Sequence, residues 1–110
     1  MNQDKNLTIE EVFSLAIKNH QEGKIDVAQD FYNQVLKINP NYSQVLNNLG
    51  TIFIELKEYQ KAKEYYEKAI EINPNYTDAH NNLGILFKEL KNYQKAKECY
   101  EKAIKINPNY

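Results

Sequence analysis

NNLGTIFIELKEYQKAKEYYEKAIEINPNY, residues 47–76, returns 34 residues later as NNLGILFKELKNYQKAKECYEKAIKINPNY, residues 81–110. In each copy, apolar residues recur at helical spacing in two segments that a short break separates. A period of this length with two helices per period indicates stacked helix-turn-helix units, because one unit cannot bury its apolar face alone. We therefore predict an all-α solenoid of six helices in three antiparallel pairs, with no strand.

The repeats can be delimited by the sequence Asn-Pro-Asn-Tyr, which occurs at 39–42, 73–76 and 107–110. Its proline cannot donate a helical hydrogen bond and disfavours helical backbone at the residue before it. We predict a flexible N-terminus at 1–8, a divergent first repeat at 9–42, and two similar repeats at 43–76 and 77–110. Thr8 with Glu11 predicts a capping box, and Ser43 and Thr77 are predicted N-caps.

The last two repeats can be set on the pattern W-x2-L-G-x2-Y followed by A-x3-F and P, with other residues at its W, Y and F positions. Repeat two offers Leu46, Leu49, Gly50, Phe53, Ala62, Tyr66 and Pro74, and repeat three offers His80, Leu83, Gly84, Phe87, Ala96, Tyr100 and Pro108. The chain thus resembles the tetratricopeptide repeat family. The resemblance implies a right-handed solenoid that acts as a protein-protein interaction scaffold, with a peptide or partner protein bound in its concave groove.

In that family the first helix of each repeat lines the groove. The resemblance therefore implies groove residues at Phe13, Ile17, His20, Gln44, Asn47, Asn48, Thr51, Ile54, Glu55, Asp78, Asn81, Asn82, Ile85, Lys88 and Glu89, with Glu10, Ser14 and Gln21 beside them. Most differences between repeats two and three fall in this helix, which fits a fixed outer layer and a differentiated inner one. Chance change after a duplication would leave a similar pattern.

The opening repeat also resembles, loosely, the N-terminal arms of bacterial proteins like O-linked N-acetylglucosamine transferase. Asn48 and Asn82 match an asparagine ladder of such proteins, and a primary amide can both donate to and accept from a peptide backbone. Two alternatives to a free-standing scaffold follow. The chain could be the N-terminal targeting arm of a larger enzyme, a glycosyltransferase or a methyltransferase, or it could be a self-assembly module.

Composition argues against several other classes of protein. The net charge is −1, and all 14 basic residues are lysines, so bidentate arginine grips on phosphate or guanine are absent and no nucleic-acid partner is expected. No apolar run approaches the ~20 residues of a spanning helix and no signal peptide is present, so we expect no membrane partner and a cytoplasmic location. Cys99 is the single cysteine. With no catalytic or metal-binding spacing, we expect no enzymatic activity, cofactor or metal.

The tyrosines and the chain's end give further expectations. Tyrosines at fixed repeat positions, among them Tyr42, Tyr76 and Tyr110, are interpreted as core or seam rather than a base-stacking surface. Ala62 and Ala96 are expected at the tightest crossings within their repeats. The groove is not expected to clamp the acidic tails of chaperones, because Asp78 stands where clamping members of the family have a basic residue. No capping helix follows repeat three, so exposed apolar surface is predicted at Leu86, Leu90, Tyr93 and Ile104.

Overall fold

The computed structural model describes residues 7–110 and consists there of six α-helices without a strand, as predicted. The predicted N-terminal segment 1–8 lies mostly outside the described residues. The helices are α1 Ile9–Gln21, α2 Ile25–Ile38, α3 Ser43–Glu55, α4 Tyr59–Ile72, α5 Thr77–Glu89 and α6 Tyr93–Ile106.

Successive helices pack as pairs, α1 with α2, α3 with α4 and α5 with α6, and the pairs stack through α2 on α3 and α4 on α5. The described part measures 53 × 26 × 22 Å, the elongated shape of a stacked array. The first helices also touch directly, since α3 contacts α5. The fold therefore has an inner layer of first helices and an outer layer of second helices.

The core is a seam that runs along the array. Tyr32 and Tyr66 are almost completely buried within their helix pairs, whereas Tyr100, at the same position of repeat three, is only partly buried. The difference arises because α2 and α4 are each covered by a following helix pair, and α6 is not. Ala62 and Ala96 are buried; that they mark the tightest crossings within their repeats stays a prediction.

Repeats two and three contain a second close approach between helices. A Cβ atom built on Gly50 would lie 2.6 Å from Cε1 of Tyr66, and one on Gly84 would lie 2.7 Å from Cε1 of Tyr100. Atoms at these distances overlap, so the glycines allow the tyrosine ring to lie directly against the facing helix. Repeat one has Ala16 at this position.

The predicted capping box is confirmed at the start of α1. The Thr8 hydroxyl accepts from the Glu11 N–H at 3.1 Å, and the Glu11 carboxylate accepts from the Thr8 N–H at 2.9 Å. Two backbone donors that the helix leaves without a partner are thereby satisfied.

The prediction that Ser43 and Thr77 are N-caps is wrong. Both are the first residues of their helices, and the caps are Tyr42 and Tyr76, whose backbones are extended and whose side chains make no capping bond. The preceding turn accounts for this arrangement. The Tyr42 N–H donates to the Asn39 carbonyl at 3.2 Å, so Tyr42 belongs to the turn and the helix begins after it.

The predicted exposed surface on repeat three is confirmed in part. Leu90, Tyr93 and Ile104 have 46%, 62% and 54% of their surface exposed. The prediction for Leu86 is wrong, because this side chain is fully buried. Leu86 occupies the repeat position of Ile52, which is also fully buried, and both belong to the apolar core cluster.

The turns between paired helices contain backbone strain. Lys57 and Lys91 have φ values of 60° and 62°, a left-handed conformation that costs a residue with a side chain roughly 1–2 kcal/mol. Repeat one has Gly23 at this position, with φ of 79°. Glycine adopts this conformation without the steric cost, so repeat one relieves a strain that the other two repeats retain.

Replacing Lys57 with glycine is therefore expected to raise the free energy of unfolding by about 0.5–1 kcal/mol, the relieved strain less the extra chain entropy of an unfolded glycine. Urea denaturation would measure the change. Lys68→Gly is a matched control inside α4, where glycine should instead lower stability by about 1 kcal/mol. Equal losses for the two variants would show that the turn is not strained.

Candidate functional site

The first helices form one continuous surface, and side-chain contacts join them across repeats. His20 on α1 places Nε2 at 2.7 Å from Glu55 Oε1 on α3. The His20 ring also stands edge-on to Tyr32, with ring centroids 6.4 Å apart. These contacts hold one end of α1 beside the end of α3.

A chain of amide hydrogen bonds crosses the middle of this surface. Asn82 Nδ2 donates to Asn47 Oδ1 at 3.1 Å, Asn47 Nδ2 to Asn48 Oδ1 at 3.5 Å, and Asn48 Nδ2 to the Tyr32 hydroxyl at 3.2 Å. Asn47 is buried, with 6% of its surface exposed. Its amide forms the floor of the surface, and Asn48 and Asn82, which are only partly buried, retain further donors or acceptors for a ligand.

Thr51 lies beside this chain and bonds to the core. Its hydroxyl is 2.9 Å from the hydroxyl of Tyr66. The pKa of Tyr66 is raised to about 12, mainly because burial disfavours the phenolate; the Thr51 hydrogen bond opposes the rise, and the charge of Glu55 adds to it. Burial likewise raises the pKa of Tyr32.

These shifts predict that the protein loses stability in alkaline solution. The folded state holds the Tyr66 proton up to a pH of about 12, whereas an unfolded tyrosine releases it near 10. The stabilising contribution is complete below a pH of about 10 and is lost between about 10 and 12, at up to roughly 1.4 kcal/mol per pH unit for one group. Urea denaturation across this range should show a shallower decline for Tyr66→Phe, and identical slopes would contradict the assignment.

The tyrosines that end each repeat lie at the edge of the same surface, which the sequence analysis did not predict. Tyr42 packs on Phe13 with ring centroids 5.1 Å apart. The Tyr110 hydroxyl donates to Asp78 Oδ1 at 2.8 Å. Tyr76 is near Asp78 as well: its pKa is raised to about 12, chiefly by burial and secondarily by the Asp78 charge. Their recurrence at the end of each Asn-Pro-Asn-Tyr turn was the available signal.

The remaining predicted groove residues fall into two sets by exposure. Phe13, Ile17, Ile54, Asn81, Asn48, Asn82 and Thr51 are partly buried, and Gln44, Glu55, Asp78, Ile85, Lys88 and Glu89 are exposed. The surface thus combines a polar floor, an apolar strip and exposed charges. Such a mixture can bind a chain segment through both its backbone and its side chains.

Residues with catalytic potential have structural partners. His80 is buried and its Nε2 lies 2.9 Å from the Pro74 carbonyl, so it fastens the turn before α5. Burial raises the pKa of the Cys99 thiol, which lowers its reactivity. Across residues 7–110, no group of three or more histidine, cysteine, aspartate or glutamate side chains could hold a metal ion. In the same range no helix is long and apolar enough to cross a membrane.

Paired helices stacked in an array, with a hydrogen-bonded inner layer, define a helical-repeat protein of the α-solenoid class. Family models described as tetratricopeptide repeat match residues 43–76 and 77–110, and a further one matches residues 19–42. The chain therefore belongs to the tetratricopeptide repeat family.

Similar proteins were found in sequence and in structure. The uncharacterized protein ycf37 of Pyropia yezoensis is 39% identical over 61 residues, which cover 54% of this chain and 34% of the relative. The first TPR of Spaghetti (RPAP3) bound to HSP90 peptide SRMEEVD matches with a TM-score of 0.86 and 24% identity, over 93% of this chain and 81% of that one. The Sgt2 TPR domain from Aspergillus fumigatus matches with a TM-score of 0.84 and 29% identity, over 92% and 67%. The chain spans about a third of the curated relative that it matches.

Proposed function

We propose that this chain is a protein-protein interaction scaffold whose concave surface of first helices binds an extended peptide segment of a partner protein. The observation that carries the proposal is the amide chain from Asn82 to Tyr32, which joins the three repeats into one surface. A surface prearranged in this way loses little entropy when a ligand binds.

The two helix layers differ in a way that supports this assignment. Amide side chains that bond between repeats, such as Asn82 with Asn47, lie on the inner layer. The outer layer carries local ion pairs, for example Lys63 with Glu67 at 3.8 Å, and amide contacts such as Gln60 Nε2 with Glu64 at 3.1 Å. Charged groups paired along one helix favour contact with water, so the inner layer is the better binding surface.

Selection from a random peptide library, followed by nuclear magnetic resonance titration of the selected peptide, tests the proposal. Amide shifts are expected at Asn48, Asn82 and Ile85, and not along the outer face of α4. Ile85→Ala should weaken binding several-fold, because Ile85 is 42% exposed on the groove. Lys97→Ala, on the outer face of α6, is the matched control and should leave binding unchanged. Shifts confined to the outer layer would refute the proposal.

Self-assembly through repeat three is a second candidate function, and the exposure of two residues favours it. Tyr93 and Ile104 are 62% and 54% exposed, whereas Tyr59 and Ile70, at the same positions of repeat two, are partly covered. The exposure of Leu90 is not particular to repeat three, because Leu56 at the same position of repeat two is 43% exposed.

The opposite end of the array argues for a symmetric contact between two third repeats. A depression of about 420 Å³ lies on α1 and is lined by Leu7, Glu10, Glu11, Ser14, Leu15 and Lys18, of which Glu10 and Ser14 border the groove positions. Glu11 and Lys18 occupy the positions where repeat two buries Val45 and Ile52. A head-to-tail stack would bury these charges without partners, which is costly. Sedimentation should therefore show a dimer that Ile104→Lys dissociates, and a monomer at high protein concentration would exclude self-assembly.

Two wider assignments remain proposals. One is that the chain is the N-terminal arm of a larger enzyme, a glycosyltransferase or a methyltransferase, which a reading frame that continues into a catalytic domain would support. A cytoplasmic location stays a prediction, which fluorescence of a tagged chain would test.

A further inference from the structure

The charges of the concave surface are unbalanced, although those of the whole chain nearly cancel. The chain has 14 basic and 15 acidic residues. On the groove positions of the first helices, Glu10, Glu55, Asp78 and Glu89 are acidic and exposed, and Lys88 is the one lysine. The groove is therefore a local region of negative potential in a chain of almost no net charge.

From this arrangement we infer that the concave groove selects a basic peptide segment, one in which lysine or arginine side chains alternate with apolar ones. The inference rests on the proposed function, since it presumes that the groove binds a peptide, and it adds the chemistry of the partner. Complementary charge raises the rate of encounter and excludes partners of the wrong sign.

Among residues 7–110, three of the groove carboxylates belong to no ion pair. The ion pairs within residues 7–110 join His20 to Glu55, Lys24 to Glu22, Lys61 to Glu58 and Lys63 to Glu67. None of these pairs involves Glu10, Asp78 or Glu89. An exposed carboxylate without an internal cation gains most from a basic ligand, because no existing pair has to be broken.

Asp78 offers the most developed subsite for such a cation. Tyr110 Oη donates to its Oδ1 at 2.8 Å, and Oδ2 makes no hydrogen bond with residues 7–110. Tyr76 stands close enough for the Asp78 charge to raise the pKa of its phenol. A carboxylate with one oxygen held by a tyrosine hydroxyl and the other open can bind a lysine or arginine head group by charge and by a charge-assisted hydrogen bond.

The apolar strip supplies contacts for the other side chains of the peptide. Ile85 is 42% exposed and lies between Asp78 and Glu89 on α5. At a rise of about 1.5 Å per residue, Asp78 and Glu89 are separated by roughly 16 Å along the helix, the span of about five extended peptide residues. Ile17, Ile54 and Phe13 continue the strip on α1 and α3. A segment with basic residues flanking an apolar one matches this order.

The nearby lysines do not remove the imbalance. Lys88 is exposed next to Glu89, at the C-terminal end of α5. The groove positions near Asp78, at the other end of this helix, include no lysine. Lys57 and Lys91 lie in the turns that follow α3 and α5, outside the helical part of the groove. The acidic character is therefore strongest around Asp78, where the tyrosines also lie.

Calorimetry with three synthetic peptides tests the inference. The peptides share length and leucine positions, and their variable positions carry lysine, glutamine or glutamate. We expect the lysine peptide to bind about ten-fold more tightly than the glutamine peptide at low salt, and the glutamate peptide to bind most weakly. Raising the salt from about 0.05 M to about 0.5 M should narrow the differences, because screening weakens exposed charge pairs.

Paired variants locate the effect. Asp78→Asn with Glu89→Gln should weaken the lysine peptide about ten-fold and leave the glutamine peptide unchanged. Glu71→Gln with Glu101→Gln removes the same charge from exposed positions of the outer helices and should change neither affinity. Equal losses in both double variants would overturn the inference, because net charge and not the groove would then govern binding.

The outcomes separate this inference from the function on which it rests. If the three peptides bind equally, or the glutamate peptide binds best, the charge preference is wrong, while groove shifts in the library-selected complex would still uphold peptide binding. If the lysine peptide does not bind at all, the preference is also wrong. If it binds but shifts only the amides of α4 and α6, both the preference and the groove assignment fail.

Discussion

Tyr66→Ala is expected to lower the free energy of unfolding by about 3–5 kcal/mol, the loss typical of a buried aromatic side chain. Tyr66 is 1% exposed and belongs to the core cluster that extends through all three repeats. Alanine would leave a cavity under Gly50 that neither helix can close without moving away from its other contacts. Urea denaturation measures the change, and much of the total stability of a chain of this size would be lost.

Two controls divide this effect into its parts. Tyr66→Phe keeps the ring and removes only the bond to Thr51, so a loss of about 1 kcal/mol is expected. Tyr93→Ala truncates a tyrosine that is 62% exposed and should change stability by less than about 0.5 kcal/mol. If Tyr66→Ala were as mild as Tyr93→Ala, the central packing role of Tyr66 would be wrong.

Gly50→Val is expected to lower the free energy of unfolding by about 3 kcal/mol, at the upper end for overpacked cores. A Cβ on Gly50 already overlaps the Tyr66 ring at 2.6 Å, and the two methyl groups of valine increase the overlap. Tyr66 cannot turn aside, because the following helix pair covers it. The helices of repeat two would have to separate.

Gly84→Val is the matched comparison in repeat three. Its Cβ would meet Tyr100 at 2.7 Å and Cys99 Cβ at 3.2 Å, nearly the same crowding. Tyr100 is only partly buried and has no further helix pair outside it, so its ring can move outward. We expect a loss at least about 1 kcal/mol smaller than for Gly50→Val. A larger loss at Gly84 would mean that the outer cover does not restrain the ring.

The fold could be predicted from the sequence because its determinants are local and repeated. Helical spacing, the prolines and the glycine-tyrosine pairing each recur within 34 residues, so one unit determines the next. The wrong predictions concern features that depend on contacts with a neighbouring repeat or turn. Leu86 was predicted at the surface, but it is buried in the core cluster together with Ile52 of the preceding repeat. Ser43 was predicted to be the N-cap of α3, but the helix begins at Ser43 and its N-cap is Tyr42, the last residue of the preceding turn.

The candidate site was less predictable for the same physical reason. The 34-residue repeat assigns residues to the first helices. It does not predict that Asn47 bonds to Asn82 of the next repeat and to Asn48 beside it. The return of Tyr110 to Asp78 depends on the path of the chain after its last helix, which periodicity does not determine. Contacts between repeats give the groove its detailed shape, and no single repeat specifies them.

The partial cover of Tyr100 has a consequence for motion. A helix pair with one packed side opens at a lower free energy than a pair packed on both sides, so hydrogen exchange should be faster in α5 and α6 than in α3 and α4. Because α5 also provides Asn82 and Ile85, each opening of the α5–α6 pair would displace these residues from the proposed groove. A ligand that spans α3 and α5 would then slow exchange in α6, a helix that it never touches.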